Sequence, residues 1–226
     1  DLPMEETRAF LDALGVSRAA LIDFARPKAR LTAEAAVLER LGLFKAQATR
    51  ITDTPPADTW TYWGLKQQNN RVKDHVAGSE RTGDWDGILA YLSMLLQQSG
   101  LSYREYLDFR QTQFAGRDVG VLAPPNECKT SNVTLLLPQP QLKEHLDRIH
   151  AFTRLWRAVR WSMRDLDAAL AAFGGVTTLE DLALVARLRA ATNLPLDTLL
   201  ACIDELGTVP WIDYLAEGTP LRPSSY

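Results

Sequence analysis

The same three-residue pattern recurs four times along the chain: a residue suited to ending a helix, an apolar residue, and a residue suited to starting one. The copies are Gly15-Val16-Ser17, Gly100-Leu101-Ser102, Arg160-Trp161-Ser162 and Asn193-Leu194-Pro195, with Arg160 the one poor helix stop among them. Gly or Asn just past a helix accepts the left-handed backbone that frees the chain to turn. A Ser hydroxyl then caps the next helix, and an apolar residue before the cap packs on its first turn. A chain punctuated in this way folds as helices joined by tight corners. The copies are unevenly spaced, so the pattern is not that of a solenoid with a fixed repeat.

Between the corners, apolar residues keep a helical period. Phe10, Leu11 and Leu14 form a stripe before Gly15, and Leu21, Ile22 and Phe24 form another before Pro27. Leu31-Thr32 opens a third helix, with Val37, Leu38 and Leu41 on one face and Gly42 behind. Ile88, Leu89, Leu92, Leu95 and Leu96 predict one helix ending at Gly100, with Asp84 capping its start. Ser102 and Glu105 have the spacing of a capping box. Leu142, Leu146, Ile149, Phe152, Trp156 and Val159 predict the longest helix. Ser162 to Asp165 and Thr178 to Asp181 cap two more, and Leu196, Leu199, Leu200 and Ile203 mark a last one before Gly207.

Two stretches break the period. Residues 66–87 are polar and glycine-rich, and predict an irregular surface excursion behind Trp60, Tyr62 and Trp63. Residues 117–141 hold two apolar runs bounded by prolines, which predict a small β-hairpin or two extended segments. The fold class expected is all-α: an irregular bundle of short helices. Residues 1–116 would form an N-terminal lobe, 117–141 a linker and 142–226 a C-terminal lobe; the alternative is one compact domain.

Bulk properties narrow the functions. The 226 residues suffice for a substantial core. Lys and Arg number 25 against 28 Asp and Glu, a net charge of −3, which argues against a dedicated nucleic-acid binder. No apolar run reaches the roughly 18 residues of a membrane-spanning helix, and the first residues lack the basic and apolar regions of a signal peptide. The absence of an initiator Met, with the end at Tyr226, suggests a piece of a longer protein.

Candidate chemistry is sparse. His145 and His150 are five apart, which sends them to different sides of a helix, and no HExxH zinc motif exists. Together with His75 they are expected on the surface rather than on a metal. Asp84-Trp85-Asp86-Gly87 lacks the later Glu of a calcium loop, that position being Ser93. Cys128 lies beside Lys129, which could lower its pKa, but no histidine partner is identifiable. Cys202 falls on an apolar stripe and is expected to be a buried free thiol. No nucleophile elbow or phosphate loop occurs. Arg154, Arg157, Arg160 and Arg164 recur at helical spacing beside Phe152, Trp156 and Trp161. A nucleic-acid face would look like this, but a solvated face, paired in part with Asp165 and Asp167, is the preferred reading. Asn132-Val133-Thr134 is a glycosylation sequon, meaningful only in a eukaryotic secretory protein. No catalytic, cofactor-binding or metal-binding residue is assigned, and no cofactor is expected.

An ordered set of motifs resembles a known family. Phe152-Thr153-Arg154-Leu155-Trp156-Arg157, then Trp161-Ser162, then Leu166-Asp167, is similar to the "RFIRLWRKLGWSIEELD" signature of the A components of insecticidal Tc toxin complexes. Leu95 to Tyr103 resembles their "LLQQSGLSY" segment. Leu2-Pro3 with Leu11, Leu14 and Gly15 to Arg18 is similar to their "LPL…ARAYLAHLGVSRAEL", and Trp63-Gly64-Leu65 to their "YYGL". Gly218-Thr219-Pro220-Leu221 to Tyr226 resembles the loop that precedes their "YDRLF" segment. The chain departs from the pattern with Arg160 in place of Gly and Ala151 in place of Arg. Because Trp161 and Ser162 keep the family's register, Arg160 is expected to adopt the left-handed conformation, where its guanidinium could recover energy by pairing with a nearby carboxylate; the alternative is a different corner with Arg160 still helical.

The resemblance implies the virulence plasmid A protein region, a helical shell around a pentameric translocation channel. The family's A component binds cells, inserts a channel and delivers a toxic enzyme held by its B and C partners. It implies as partners the rest of the A-component chain and neighbouring protomers of a homopentamer. The B and C components would be met through other regions, with no nucleic acid and no direct membrane insertion by this segment. In full-length form the protein would be a secreted or cell-surface toxin, and this segment would be non-catalytic. Two readings compete with it. One is a stand-alone helical module binding a protein or peptide in an apolar groove lined by Trp60, Trp63, Trp85 and Trp211; the other is a small hydrolase or metal enzyme.

Overall fold

A computed structural model describes residues 2–25, 33–52, 57–114, 119–124, 129–138, 140–174, 179–202 and 211. The first corner separates α1 (Leu2–Ala13) from α2 (Arg18–Ala25). α3 (Ala33–Arg40) and α4 (Lys45–Thr52) follow, then a 3-10 turn over Thr59–Trp63. A hairpin of β1 (Asn69–Lys73) and β2 (Glu80–Asp84) leads into α5 (Trp85–Leu89), α6 (Leu92–Ser99) and α7 (Tyr103–Phe109). β3 (Gly120–Leu122) and β4 (Thr134–Leu136) form a second hairpin. The chain continues through α8 (Gln141–Val159), α9 (Met163–Phe173), α10 (Leu179–Thr192) and α11 (Leu196–Leu200). The architecture is mostly helical with two small antiparallel hairpins, and so is not purely all-α.

The corners follow one physical scheme. Gly15, Gly100, Arg160 and Asn193 all have positive φ, and so does Gly42. After α1 and α3 two hydrogen bonds close the helix: Gly15 and Val16 N–H donate to Asp12 and Leu11 C=O at 3.0 and 2.9 Å, and Gly42 and Leu43 N–H to Glu39 and Leu38 C=O at 3.1 and 2.8 Å. After α6, α8 and α10 a single bond closes the helix, from Gly100 to Leu96, Arg160 to Trp156 and Asn193 to Arg189. These are the two standard ways of satisfying the last helical carbonyls. The capping box at Ser102 and Glu105 is present, and the Ser162 hydroxyl accepts from the Asp165 amide. Arg160 sits at φ 57°, as its register predicts. No carboxylate among the described residues pairs with its guanidinium.

Three expectations need correction. Residues 66–87 are not irregular: they contain the β1–β2 hairpin, organised by Asp74. This carboxylate is fully buried and accepts from the amides of Val76 and Ala77, the Ser93 hydroxyl and Arg81 Nε. Burial raises its pKa, but these donors together outweigh burial and hold it below the usual carboxylate value. The single helix expected from Ile88 to Leu96 is two, α5 and α6. The backbone of 133–135 bonds at the break, with Leu92 N–H donating to Val133 C=O and Leu135 N–H to Ala90 C=O. Asp84 occupies the N-cap position of α5, but its side chain makes no capping bond.

One apolar cluster runs through the described chain, from Leu38 and Leu41 through Leu95, Phe109, Leu146, Ile149, Phe152 and Leu166 to Leu182 and Leu200. α3 packs on α2 and α10, α4 on α8, and α9 on α7 and α11. α1 buries no residue at all. The stripe of Phe10 and Leu14 therefore faces solvent, as do Leu21 and Phe24 of α2, while Ile22 turns inward. The expected starts at Leu31-Thr32 and Thr178, and the helix end at Ile203 to Gly207, lie outside the described residues.

Candidate functional site

A cleft of about 1070 Å³ is lined mainly by α1, α2, α3, α8 and α10, with Tyr62 and Trp63 at its wall. Seven arginines line it against four carboxylates. On one side charge is neutralised: Arg8 and Arg18 both pair with Glu39, Arg8 also with Glu5, and Arg40 with Asp23. Burial raises the Glu39 pKa, but the two guanidiniums bring it below the usual value. On the other side it is not. Arg154, Arg157, Arg160 and Arg187 have no carboxylate partner among the described residues.

The helical period of α8 sets this wall. His150, Thr153, Arg154 and Arg157 are three or four apart, so they share a face. His150 is buried, stacked on Tyr62 at 4.8 Å and tilted against Trp63 at 5.7 Å. Its Nε2 accepts from Arg154 Nε at 2.5 Å, so the ring is held neutral with the proton on Nδ1. Burial, then Arg154 and Arg50, lower its pKa to about 3. The Arg50 guanidinium lies over the Tyr62 ring, 5.4 Å from its centroid. Arg157 Nη2 donates to the carbonyls of Ser99 and Gly100, at 2.9 and 3.0 Å, fixing its stem to the end of α6.

Two polar atoms in this wall have no hydrogen-bond partner: Trp63 Nε1 and Thr153 Oγ1. Their residues are only 3% and 5% exposed. Leaving a buried donor unpaired costs about 1–3 kcal/mol, so two in residues that line one cleft need an explanation.

Elsewhere the residues weighed from sequence resolve individually. His145 and His150 are buried, not on the surface as expected, because the wide apolar face of α8 includes both. His145 faces the Phe109 ring at 6.4 Å, whereas His75 is exposed. Among the described residues no three of His, Cys, Asp and Glu stand together to hold a metal. Cys202 is exposed, not buried: α11 ends at Leu200, and the thiol contacts Thr198 C=O across the final turn. Cys128 lies outside the described residues. Asp167 caps the chain after α7, accepting from the Gln113 and Phe114 amides, a tertiary role that spacing could not reveal. Of the four tryptophans weighed for an apolar groove, Trp63 and Trp85 are buried, with Trp63 in the cleft wall, while Trp60 and Trp211 pack on the core. Among the described residues no helix is long and apolar enough to cross a membrane. No family model, curated protein or solved structure matches the chain.

Proposed function

We propose that this chain is a non-catalytic shell segment of the A component of a bacterial Tc toxin, the pentameric subunit that binds cells, forms a pore and translocates a toxic enzyme. Its neighbours would be the rest of its own A-component chain and adjacent protomers. The B and C components would engage other regions, in a toxin that acts outside the producing cell. The ordered motif set supports the reading: its pieces up to Asp167 fall at helix ends or on α1, α8 and α9, and the piece from Gly218 to Tyr226 lies outside the described residues. The observation that carries it is the uncovered apolar surface of α1 and α2. Phe10 is 65% and Phe24 81% exposed; α1 buries no residue and is joined to α3 by the Arg8–Glu39 ion pair, while α2 turns only Ala19 and Ile22 inward. Such surface is expected where further protein packs.

The test is the reading frame that encodes the chain, followed by mass determination of its product. The proposal expects the frame to continue for well over a thousand residues past Tyr226, and a pentameric product. A stop codon directly after Tyr226 would overturn it in favour of a stand-alone binding module.

A further inference from the structure

We propose that the arginine-rich wall of the cleft binds a phosphate-type oxyanion, with Arg154 and Arg157 as cationic forks and Trp63 and Thr153 as neutral donors. This is independent of the shell reading and needs nothing from it.

The first argument is charge. Arg50, Arg154 and Arg157 crowd one region without a carboxylate among the described residues. Burial, then Arg50 and also Arg157, push the Arg154 pKa down, so the cluster disfavours its own charge. An anion seated between Arg154 and Arg157 would relieve both costs. Across the cleft, Arg8, Arg18 and Arg40 are matched with Glu39 and Asp23. The deficit of negative charge is therefore local to the α8 wall.

The second argument is the orphaned donors. A buried indole N–H and a buried hydroxyl, both in residues lining the same cleft, lack partners. An oxyanion is an acceptor at every oxygen and would satisfy both once the wall gives enough to admit it, since neither atom is open to solvent in the unliganded cleft. A cation would meet the arginines unfavourably, and an apolar ligand would leave the donors unpaired.

The third argument is preorganisation. Arg154 uses Nε on His150, which leaves its Nη groups for a ligand. Arg157 uses Nη2 on two carbonyls, which leaves Nε and Nη1. Each guanidinium is already oriented by a protein acceptor, so little side-chain freedom is lost on binding. Planar forks suit the paired oxygens of a phosphoryl group. The cleft is far larger than one phosphate ion, so a free ion and a phosphoryl group on a larger molecule both fit the chemistry.

Calorimetric titration of the whole chain at fixed ionic strength tests this, with inorganic phosphate, pyrophosphate, O-phosphoserine and acetate as probes. Saturable 1:1 binding of at least one phosphate-type probe, tighter than acetate, is expected. Tightest binding of phosphate identifies the free ion; tightest binding of pyrophosphate or phosphoserine identifies a phosphoryl group on a larger ligand. Arg154→Gln and Arg157→Gln should each weaken binding at least about tenfold. Thr153→Val keeps the volume and removes an unpaired hydroxyl. It should weaken binding several-fold while leaving the melting temperature equal or higher, which a purely structural role would not produce. Arg71→Gln, an exposed change on β1 outside the cleft, should leave the affinity unchanged. No saturable heat with any phosphate-type probe overturns the proposal. So does equal binding of acetate, a Thr153→Val affinity equal to wild type, or an Arg71→Gln loss as large as that of the cleft variants.

Discussion

Arg160 shows how a single residue can be placed from sequence and its surroundings still misjudged. The stop–apolar–start pattern fixes its left-handed backbone, but no carboxylate among the described residues pairs with it. Its strain of roughly 1 kcal/mol therefore has no compensating ion pair among them. Arg160→Gly should leave stability unchanged or raise it by up to about 1 kcal/mol, because strain relief competes with added unfolded-state entropy. Urea unfolding measures this, and a clear loss would mean the side chain contributes something else at the corner. His150 makes a second prediction. Its folded pKa of about 3 lies below the unfolded value, so between these the unfolded chain binds the proton and the folded one does not. Stability must then fall as pH drops from about 6.5 towards 3. Burial lifts Asp147 to about 6, which acts in the opposite sense: the folded state holds that proton first, and stability rises as pH falls from about 6 towards 4. His150→Gln should flatten the loss of stability between pH 7 and 5, and Asp147→Asn should steepen it. Chemical denaturation at the two pH values gives both slopes, and identical slopes in all three proteins would refute the assignment.

At the scale of elements, the two glycine corners after α1 and α3 look alike in sequence but differ in what surrounds them. Both have φ near +68°, which a side chain adopts with strain. A Cβ on Gly15 would meet nothing, whereas one on Gly42 would sit 3.0 Å from the Ala158 carbonyl oxygen of α8. Gly15→Ala should cost about 1 kcal/mol from backbone strain alone. Gly42→Ala should cost about 2 kcal/mol or more, because α8 must also move. Thermal melts of the two variants check the order, and an equal loss would mean that the α3–α8 approach yields freely. The comparison also marks what could be read beforehand. Helix stops, the capping box and the β3–β4 hairpin are local, and residues a few positions apart encode them. The β1–β2 hairpin was missed because a buried carboxylate, Asp74, replaces apolar alternation as its organiser. The α5–α6 break was missed because its cause lies some forty residues downstream, at 133–135. The cleft was half legible: the arginine spacing on α8 was visible, but Tyr62, Trp63 and the neutralised arginines of α1–α3 arrive only by tertiary packing.

For the molecule as a whole, the N-terminal helices are the weak link, and their weakness has a definite physical character. The core begins in earnest at α3, while α1 contributes no buried residue. Its described links to the body include the Arg8–Glu39 pair and Arg8 over the Phe44 ring at 4.8 Å. Water reaches this pair little, since the Arg8 and Glu39 side chains are only 15% and 7% exposed, but no apolar residue of α1 is buried beside it, so α1 should open before the global unfolding of the α8 core. Amide exchange in residues 2–13 should therefore be fast, while the centre of α8 stays protected. Replacing both Phe10 and Phe24 by Ser should leave the melting temperature of the 226-residue chain nearly unchanged, since neither residue is buried within it. The same double variant should lower any concentration-dependent association seen by sedimentation, because it removes the apolar surface that would drive it. In the full-length assembly that the shell reading requires, the outcome reverses: α1 becomes protected, and the double substitution lowers stability by the several kcal/mol typical of emptied aromatic sites. Slow exchange of α1 in the isolated chain would show that it is already held by contacts of its own. A double variant as stable as wild type in the full-length protein would show that no neighbour packs on this face.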